Sequence, residues 1–158
     1  MSGPATVDPS TWNQRSRDFL SYWQDRRPGP GILPARRHID PAELKPFLPN
    51  VWLLDIQHAP FRARYRVIGT HLVEMTGRDL TGLWIDEIGA DAAARIYPSL
   101  QRVAELRAPV HFRGQAFYNN ADRVRIVEYV LLPLAANGHD VDMVLGHSVY
   151  ASALSAGA

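Results

Sequence analysis

The chain has 158 residues, which is enough for one domain with its own hydrophobic core. Hydrophobic residues make up 46% of the sequence and charged residues 21%, a globular balance that excludes a disordered chain and a membrane-embedded one. The sequence has no cysteine, so disulfides, thiolate metal sites and cysteine chemistry are excluded.

Charge and targeting signals favour a cytoplasmic protein. The net charge of +1 gives little attraction for phosphate, so a nucleic-acid binder is the least favoured class and we expect no membrane-surface partner. The N-terminus lacks the basic and apolar segments of a signal peptide, and no apolar stretch approaches the roughly 20 residues of a membrane span.

The first predicted element is an N-terminal helix. Asp8-Pro9 is typical of an N-cap followed by proline, and Pro28 predicts an end near Arg26-Arg27. Apolar residues at helical spacing form one stripe, which consists of Trp12, Phe19, Leu20 and Trp23. We expect this stripe to cover the outer face of a sheet, and a dimer contact through it is the alternative.

A proline-rich connector follows the helix. Pro28 to Pro34 predicts a stiff linker, and the sequence Asp40-Pro41-Ala42-Glu43 is typical of a capping box that begins a very short helix. Pro46 and Pro49 restrict the length of that helix.

From residue 51 the sequence predicts two strands, a helical segment and three further strands. The first strands are Val51–Gln57 and Arg62–Thr70. Residues 71–75 predict a short helix, and 91–107 a longer one in which Pro98 introduces a kink or lies in the first turn. The last strands are predicted at 110–118, 123–134 and 141–150, joined by turns at 119–122 and at Asn137-Gly138, and a frayed tail follows.

Five short motifs occur in order along the chain. They are Trp23, Arg36-Arg37-His38-Ile39-Asp40-Pro41, Leu48-Pro49-Asn50-Val51, Tyr65-Arg66-Val67-Ile68-Gly69-Thr70 and Gly77-Arg78-Asp79-Leu80-Thr81-Gly82. Together they resemble a family of small stand-alone bacterial PAS-domain proteins that is common in alphaproteobacteria. The resemblance covers roughly residues 15 to 150 and implies a sensory or regulatory module whose output passes through a partner or through self-association.

The predicted fold is α+β, with a PAS-like five-stranded antiparallel sheet, short helices on one face and an N-terminal helix. A cone-shaped barrel of the nuclear-transport-factor type is the alternative. We divide the chain into an N-terminal helix at 1–27, a connector at 28–50, a PAS-like domain at 51–151 and a tail at 152–158.

Glu128 is the first candidate site residue. In the strand pattern Val124, Ile126, Glu128, Val130, Leu132, Leu134 it is the one polar member of its face, so its charge needs a partner or a cavity. We favour a structural ion pair, with a polar group inside a ligand pocket as the alternative. Arg66, which alternates with Arg62 and Arg64, is its predicted partner, and we expect the pair on the inner side of the sheet. A bidentate contact of Arg66 to a carboxylate ligand is the alternative.

His147 and His111 complete the candidate ligand-binding residues. Both lie in predicted strands, and His147 shares a face with Met143, Leu145 and Val149. A hydrogen-bonded core histidine is the favoured interpretation, and axial ligation of haem, a cofactor of some PAS domains, is the alternative. The histidines show no metal-binding spacing, so we predict no metal site.

These observations favour a binding module over an enzyme. We expect a small-molecule ligand or a protein partner, a homodimer and no tightly bound cofactor, with haem and flavin as open alternatives. The competing functions are a ligand-free interaction or dimerisation module and an acid–base enzyme that uses Glu128 with a histidine or arginine. No residue is assigned a catalytic role.

Overall fold

The computed structural model of the chain describes residues 8–115 and 125–152. The predicted strand residues 116–118, 123 and 124, the turn at 119–122 and the tail from residue 153 lie outside the described residues. Within the two described ranges, no helix has the length and apolar character that a membrane crossing requires.

The N-terminal helix begins later than the sequence pattern predicts. Asp8 caps a short 3-10 turn at Pro9–Thr11, where its side chain accepts a hydrogen bond from the Ser10 backbone N–H. Trp12 is extended, and α1 (Gln14–Asp25) starts only after Asn13, whose side chain accepts from the backbone N–H of Ser16. Asn13, rather than Asp8, is therefore the N-cap of α1.

Five antiparallel strands form one sheet. The strands are β1 (Val51–His58), β2 (Phe61–Ile68), β3 (Val110–Gln115), β4 (Arg125–Leu134) and β5 (Met143–Ser152), and their order is β2-β1-β5-β4-β3. The predicted Asn137-Gly138 turn joins β4 to β5, and Gly138 has a φ of 81°, in the left-handed region that glycine tolerates. The predicted five-stranded α+β fold is confirmed.

Three helices cover one face of the sheet, which we call the inner face. They are α2 (Thr70–Thr76), α3 (Ile85–Ile88) and α4 (Ala90–Leu106). The sequence pattern missed the single turn of α3, and Pro98 lies in the interior of α4 rather than in its first turn. Ile96, Leu100 and Val103 form the buried stripe of α4.

Helix α1 and the connector cover the opposite, outer face. Phe19, Leu20 and Trp23 are buried, and the Trp23 indole N–H donates to the backbone carbonyl of Pro133 in β4 at 2.9 Å. The short helix predicted from residue 40 is absent: residues 41–47 form successive turns, and Asp40 Oδ1 accepts from the Ala42 backbone N–H. Pro46 lies inside this segment and removes a backbone donor, which disfavours a regular helix there.

Candidate functional site

The inner cavity lies between the inner face of the sheet and the helices that cover it. Trp52, Tyr65, Tyr129 and Ser148 contribute to its wall from the sheet, and Leu72 and Ile96 contribute from α2 and α4. The space open to the centres of water molecules is about 30 Å³. This space suits about two waters or a small group that enters from outside.

Trp52 supplies an unused hydrogen-bond donor on the inner face. Trp52 in β1 pairs with Gly146 in β5, and a Cβ on Gly146 would overlap the indole ring, so the glycine lets the indole lie directly against the sheet. The ring meets Tyr129 edge-on, with centroids 5.9 Å apart. Its Nε1–H is buried and has no partner among the described residues, which makes it the polar feature of this wall that calls for a ligand or a water.

Glu128 points to the outer face, away from the inner cavity. Tyr129 lines that cavity, and adjacent strand residues point to opposite faces. Glu128 Oε2 accepts hydrogen bonds from the Asn13 backbone N–H at 2.9 Å, from the Asn13 side-chain amide and from the Ser16 hydroxyl at 3.3 Å. The carboxylate therefore holds the N-terminus of α1 against the sheet, where a negative charge also interacts favourably with the helix dipole.

The predicted pairing of Glu128 with Arg66 on the inner side of the sheet is wrong. Strands β1 and β5 lie between β2 and β4, so three strand spacings, about 14 Å, separate their backbones. Arg66 lies at a bulge in the β1–β2 pairing, its side chain is 58% exposed, and it binds Asp55 Oδ2 at 3.5 Å. Arg64 binds the same oxygen at 3.1 Å, so Asp55 supplies the counter-charge for both arginines.

His111 lies beside Glu128 rather than in a ligand pocket. Its ring stacks on Trp12 with centroids 4.4 Å apart, and its Nε2 is 3.6 Å from Glu128 Oε1. Burial lowers the pKa of His111, and the nearby Glu128 carboxylate opposes that shift. Of the predicted site residues, the structure thus brings His111 and Glu128 together and leaves Arg66 apart.

His147 is buried on the outer face. The hydrogen bond that we predicted for its ring is not found among the described residues. Phe19 and Phe47 pack against its ring at centroid distances of 5.1 and 5.7 Å. Neither ring nitrogen has a hydrogen-bond partner among the described residues. Burial lowers the pKa of His147 to about 4, with a smaller contribution from Arg15, so the ring is neutral at pH 7.

Trp52, Tyr129 and Ser148 line the inner cavity but are not among the residues that the sequence pattern predicts for a site. The alternation in β4 did place Val127 and Tyr129 together on the face opposite Glu128. Because both faces of this strand are largely apolar, the pattern could not show which face lines a cavity. Among the described residues there is no cluster of three potential metal ligands.

Comparison with known proteins identifies a family. A sequence profile described as "PAS domain" matches residues 12–149. No curated protein matches the chain. The similar solved structures include the LOV protein of Rhodobacter sphaeroides, at 15% identity and a TM-score of 0.50 over 71% of this chain and 68% of that one.

Two further structures share the fold. A light-oxygen-voltage domain examined with a flavin analogue has 13% identity and a TM-score of 0.52, over 73% of this chain and 87% of that one. A fungal LOV-domain photoreceptor, from a pathway that integrates blue light and oxidative stress, has 16% identity and a TM-score of 0.50, over 85% of this chain and 91% of its own.

Neither flavin nor haem fits the inner cavity of this chain. Pockets for ligands of that size measure roughly 300–1,000 Å³, whereas here the rings of Trp52, Tyr65 and Tyr129 leave room for only about two waters. The candidate haem ligand His147 lies on the opposite face of the sheet. The expectation that no cofactor is tightly bound stays a prediction.

Proposed function

Because the chain belongs to the PAS domain family, a family of sensory and regulatory modules, we propose that its inner cavity is a sensing site. Its ligand is small, with an apolar body and one hydrogen-bond acceptor such as a carbonyl oxygen. The observation that carries this proposal is the buried, unpartnered Nε1–H of Trp52 on an otherwise largely apolar wall.

The energetics of Trp52 favour a ligand with an acceptor. A buried donor without a partner costs about 1–3 kcal/mol relative to one that is hydrogen-bonded. A carbonyl group at this position recovers that free energy on binding, whereas an apolar group of the same shape does not. The unpartnered Nε1–H of Trp52 therefore favours a ligand that carries a hydrogen-bond acceptor.

Helix α1 and the connector are the proposed route of output. Ser148 contributes to the inner cavity while its neighbour His147 packs against Phe19 of α1 on the other face. A ligand that shifts β5 thus acts directly on the packing of α1. The division into segments 1–27, 28–50, 51–151 and 152–158 is part of this proposal, with the first two as the regulated elements.

The partner of this output is a separate protein or a second copy of the chain. The motif resemblance supports membership of the small stand-alone alphaproteobacterial proteins, which need such a partner. The aromatic stripe that motivated a homodimer is buried against the chain's own sheet, with Trp12 6% and Trp23 2% exposed. The proposed homodimer therefore uses a surface other than this stripe.

One observation favours a ligand-free module, and another argues against an acid–base enzyme. A ligand-free interaction module is favoured by the small size of the inner cavity. An acid–base enzyme would use Glu128 and His111, but Oε2 of Glu128 is already engaged by donors of Asn13 and Ser16. We therefore propose a non-enzymatic module, in which the structural residues include Glu128, His111, His147 and Arg66. Its proposed location is the cytoplasm.

The experiment follows the indole N–H signal of Trp52 by NMR. Acetone is the probe because it is close in size to the two waters that the cavity admits, and isobutene is its control because it has the same shape with a methylene in place of the carbonyl oxygen. Trp52→Phe assigns the signal and removes the donor while keeping a ring. Trp84→Phe is the matched control, since Trp84 stacks beneath Arg62 at 4.2 Å outside the cavity.

We expect acetone to move the Trp52 N–H signal saturably and to bind about tenfold more tightly than isobutene. Trp52→Phe should abolish this preference, and Trp84→Phe should preserve it. Equal binding of the two probes, or shifts confined to other tryptophans, would refute the proposed site. An absence of binding by both probes would favour the ligand-free module.

A further inference from the structure

A second cavity lies on the outer face, between the sheet and the connector. Its floor is aliphatic and comes from four strands: Val67 of β2, Val51 and Leu53 of β1, Leu145 of β5 and Leu134 of β4. Its roof is formed by connector residues, chiefly Ile39, Leu44 and Leu48. We call this cavity the outer groove.

The outer groove has room that the chain does not fill. The space open to the centres of water molecules is about 110 Å³, against about 30 Å³ in the inner cavity. An apolar cavity of about 150 Å³ in another protein stays dry and binds benzene, so this groove is large enough for a hydrocarbon group.

The mouth of the groove is apolar as well. Among the described residues, four large hydrophobic side chains are exposed, and two of them, Leu48 at 37% and Val67 at 43%, line this groove. Exposed apolar side chains that cluster at a cavity indicate a binding surface more strongly than isolated ones do.

Arg36 is the one charged residue in the lining. Its Nη1 donates to the backbone carbonyl of Ile39 at 3.0 Å, which fixes the guanidinium beside the groove. Within the described part of the chain, no carboxylate forms an ion pair with it. A guanidinium has five donors, so Arg36 retains the capacity to bind a planar anion such as a carboxylate.

From the aliphatic floor and this unpaired guanidinium, we infer that the outer groove binds an aliphatic monocarboxylate. The carboxylate lies on Arg36, and a tail of about five or six carbons, judged from the size of known hydrocarbon cavities, lies on Leu53, Leu145 and Leu134. This site is separate from the inner sensing site, because the sheet lies between them.

The test is a titration with hexanoate followed through the methyl signals of leucine and valine residues. 1-Hexanol, which has the same tail without the charge, is the control ligand. Arg36→Gln removes the proposed contact, and Arg37→Gln is the matched control. Arg37 is the next residue in the same 3-10 turn, is also exposed, and binds the carbonyl of Ala136 away from the groove.

We expect saturable shifts of the Leu53, Leu145 and Val67 methyls. Arg36→Gln should weaken hexanoate binding about tenfold, since a partly exposed charged contact contributes about 1.4 kcal/mol, and should leave 1-hexanol binding unchanged. Arg37→Gln should change hexanoate binding less than about twofold. Val67→Trp, at an exposed position, should block both ligands without unfolding the protein.

Several outcomes would each overturn the inference. They are the absence of saturable shifts up to about 10 mM hexanoate, equal weakening by Arg36→Gln and Arg37→Gln, and unchanged binding in Val67→Trp. Shifts confined to Leu72 and Val127 would place hexanoate in the inner cavity and would refute the outer site alone. Failure of the acetone experiment leaves this test unaffected, because the two sites have no lining residue in common.

Discussion

The contact between Glu128 and the start of α1 can be tested by Glu128→Gln. Glutamine keeps the shape and one acceptor oxygen but loses the negative charge. Glu128 is 8% exposed, and one of its oxygens accepts from the Asn13 backbone, the Asn13 amide and the Ser16 hydroxyl. Among the described residues no arginine forms an ion pair with Glu128, so the cost of the variant is expected to come from the weakened hydrogen bonds.

The magnitude follows from these bonds. Hydrogen bonds to an ionised acceptor contribute about 1.5–3 kcal/mol and neutral ones about 1 kcal/mol. Weakening the two bonds from Asn13 should therefore lower the free energy of unfolding by about 1–2 kcal/mol. Glu128→Leu removes the acceptor altogether, so the fully buried hydroxyl of Ser16 loses its hydrogen bond to Glu128. The expected loss in the free energy of unfolding therefore rises to about 3–5 kcal/mol.

Urea unfolding at neutral pH measures these costs, and hydrogen exchange of the α1 amides localises them. Glu43→Gln is the matched control because Glu43 also binds α1, through Arg26 at 3.4 Å, but is 42% exposed. Its cost should stay within about 0.5 kcal/mol. If Glu128→Gln costs no more than Glu43→Gln and leaves α1 exchange unchanged, Glu128 does not hold the helix and the reasoning fails.

The remaining predictions concern the outer face and the cofactor. The pKa of His147 is about 4 when folded and 6.5 in the unfolded reference, so its contribution to stability is present above pH 6.5 and falls by about 2.5 kcal/mol between pH 7 and 4.5. His147→Phe should remove this part of the pH dependence of urea unfolding, and an unchanged slope would contradict it. Trp23→Phe should cost at least about 1 kcal/mol by removing the bond to Pro133, and a neutral result would argue against it. The purified protein should be colourless. A near-stoichiometric flavin or haem absorption band would contradict the conclusion that neither cofactor fits the inner cavity.

The sheet and the inner helices could be predicted from local signals. The strand periodicity, the Asn137-Gly138 turn and the helical spacing of Ile96, Leu100 and Val103 all correspond to observed elements. Element ends were less predictable. Asp8 and Asn13 both carry cap-forming side chains five residues apart, and the choice between them depends on the tertiary contact of Asn13 with Glu128.

The partners of the candidate site residues could not be predicted for a different reason. Alternation places Arg62, Arg64 and Arg66 on one face, but a bulge in the β1–β2 pairing interrupts the register at Arg66. The order of strands also decides which charges can meet, and β5 lies between β1 and β4 although it comes last in the sequence. Neither feature leaves a local signal in the residues concerned.

The sequence pattern could not show on which side of the sheet each residue of β4 lies, because this strand is buried on both faces. Residues 127–134 are all buried, because α4 packs on one face of the strand and α1 on the other. A strand buried on both faces reads as a continuous apolar run, so alternation cannot tell which side Glu128 occupies. The same arrangement puts a covered space on each side of the sheet. Neighbouring residues such as Trp52 and Leu53 consequently line the inner cavity and the outer groove.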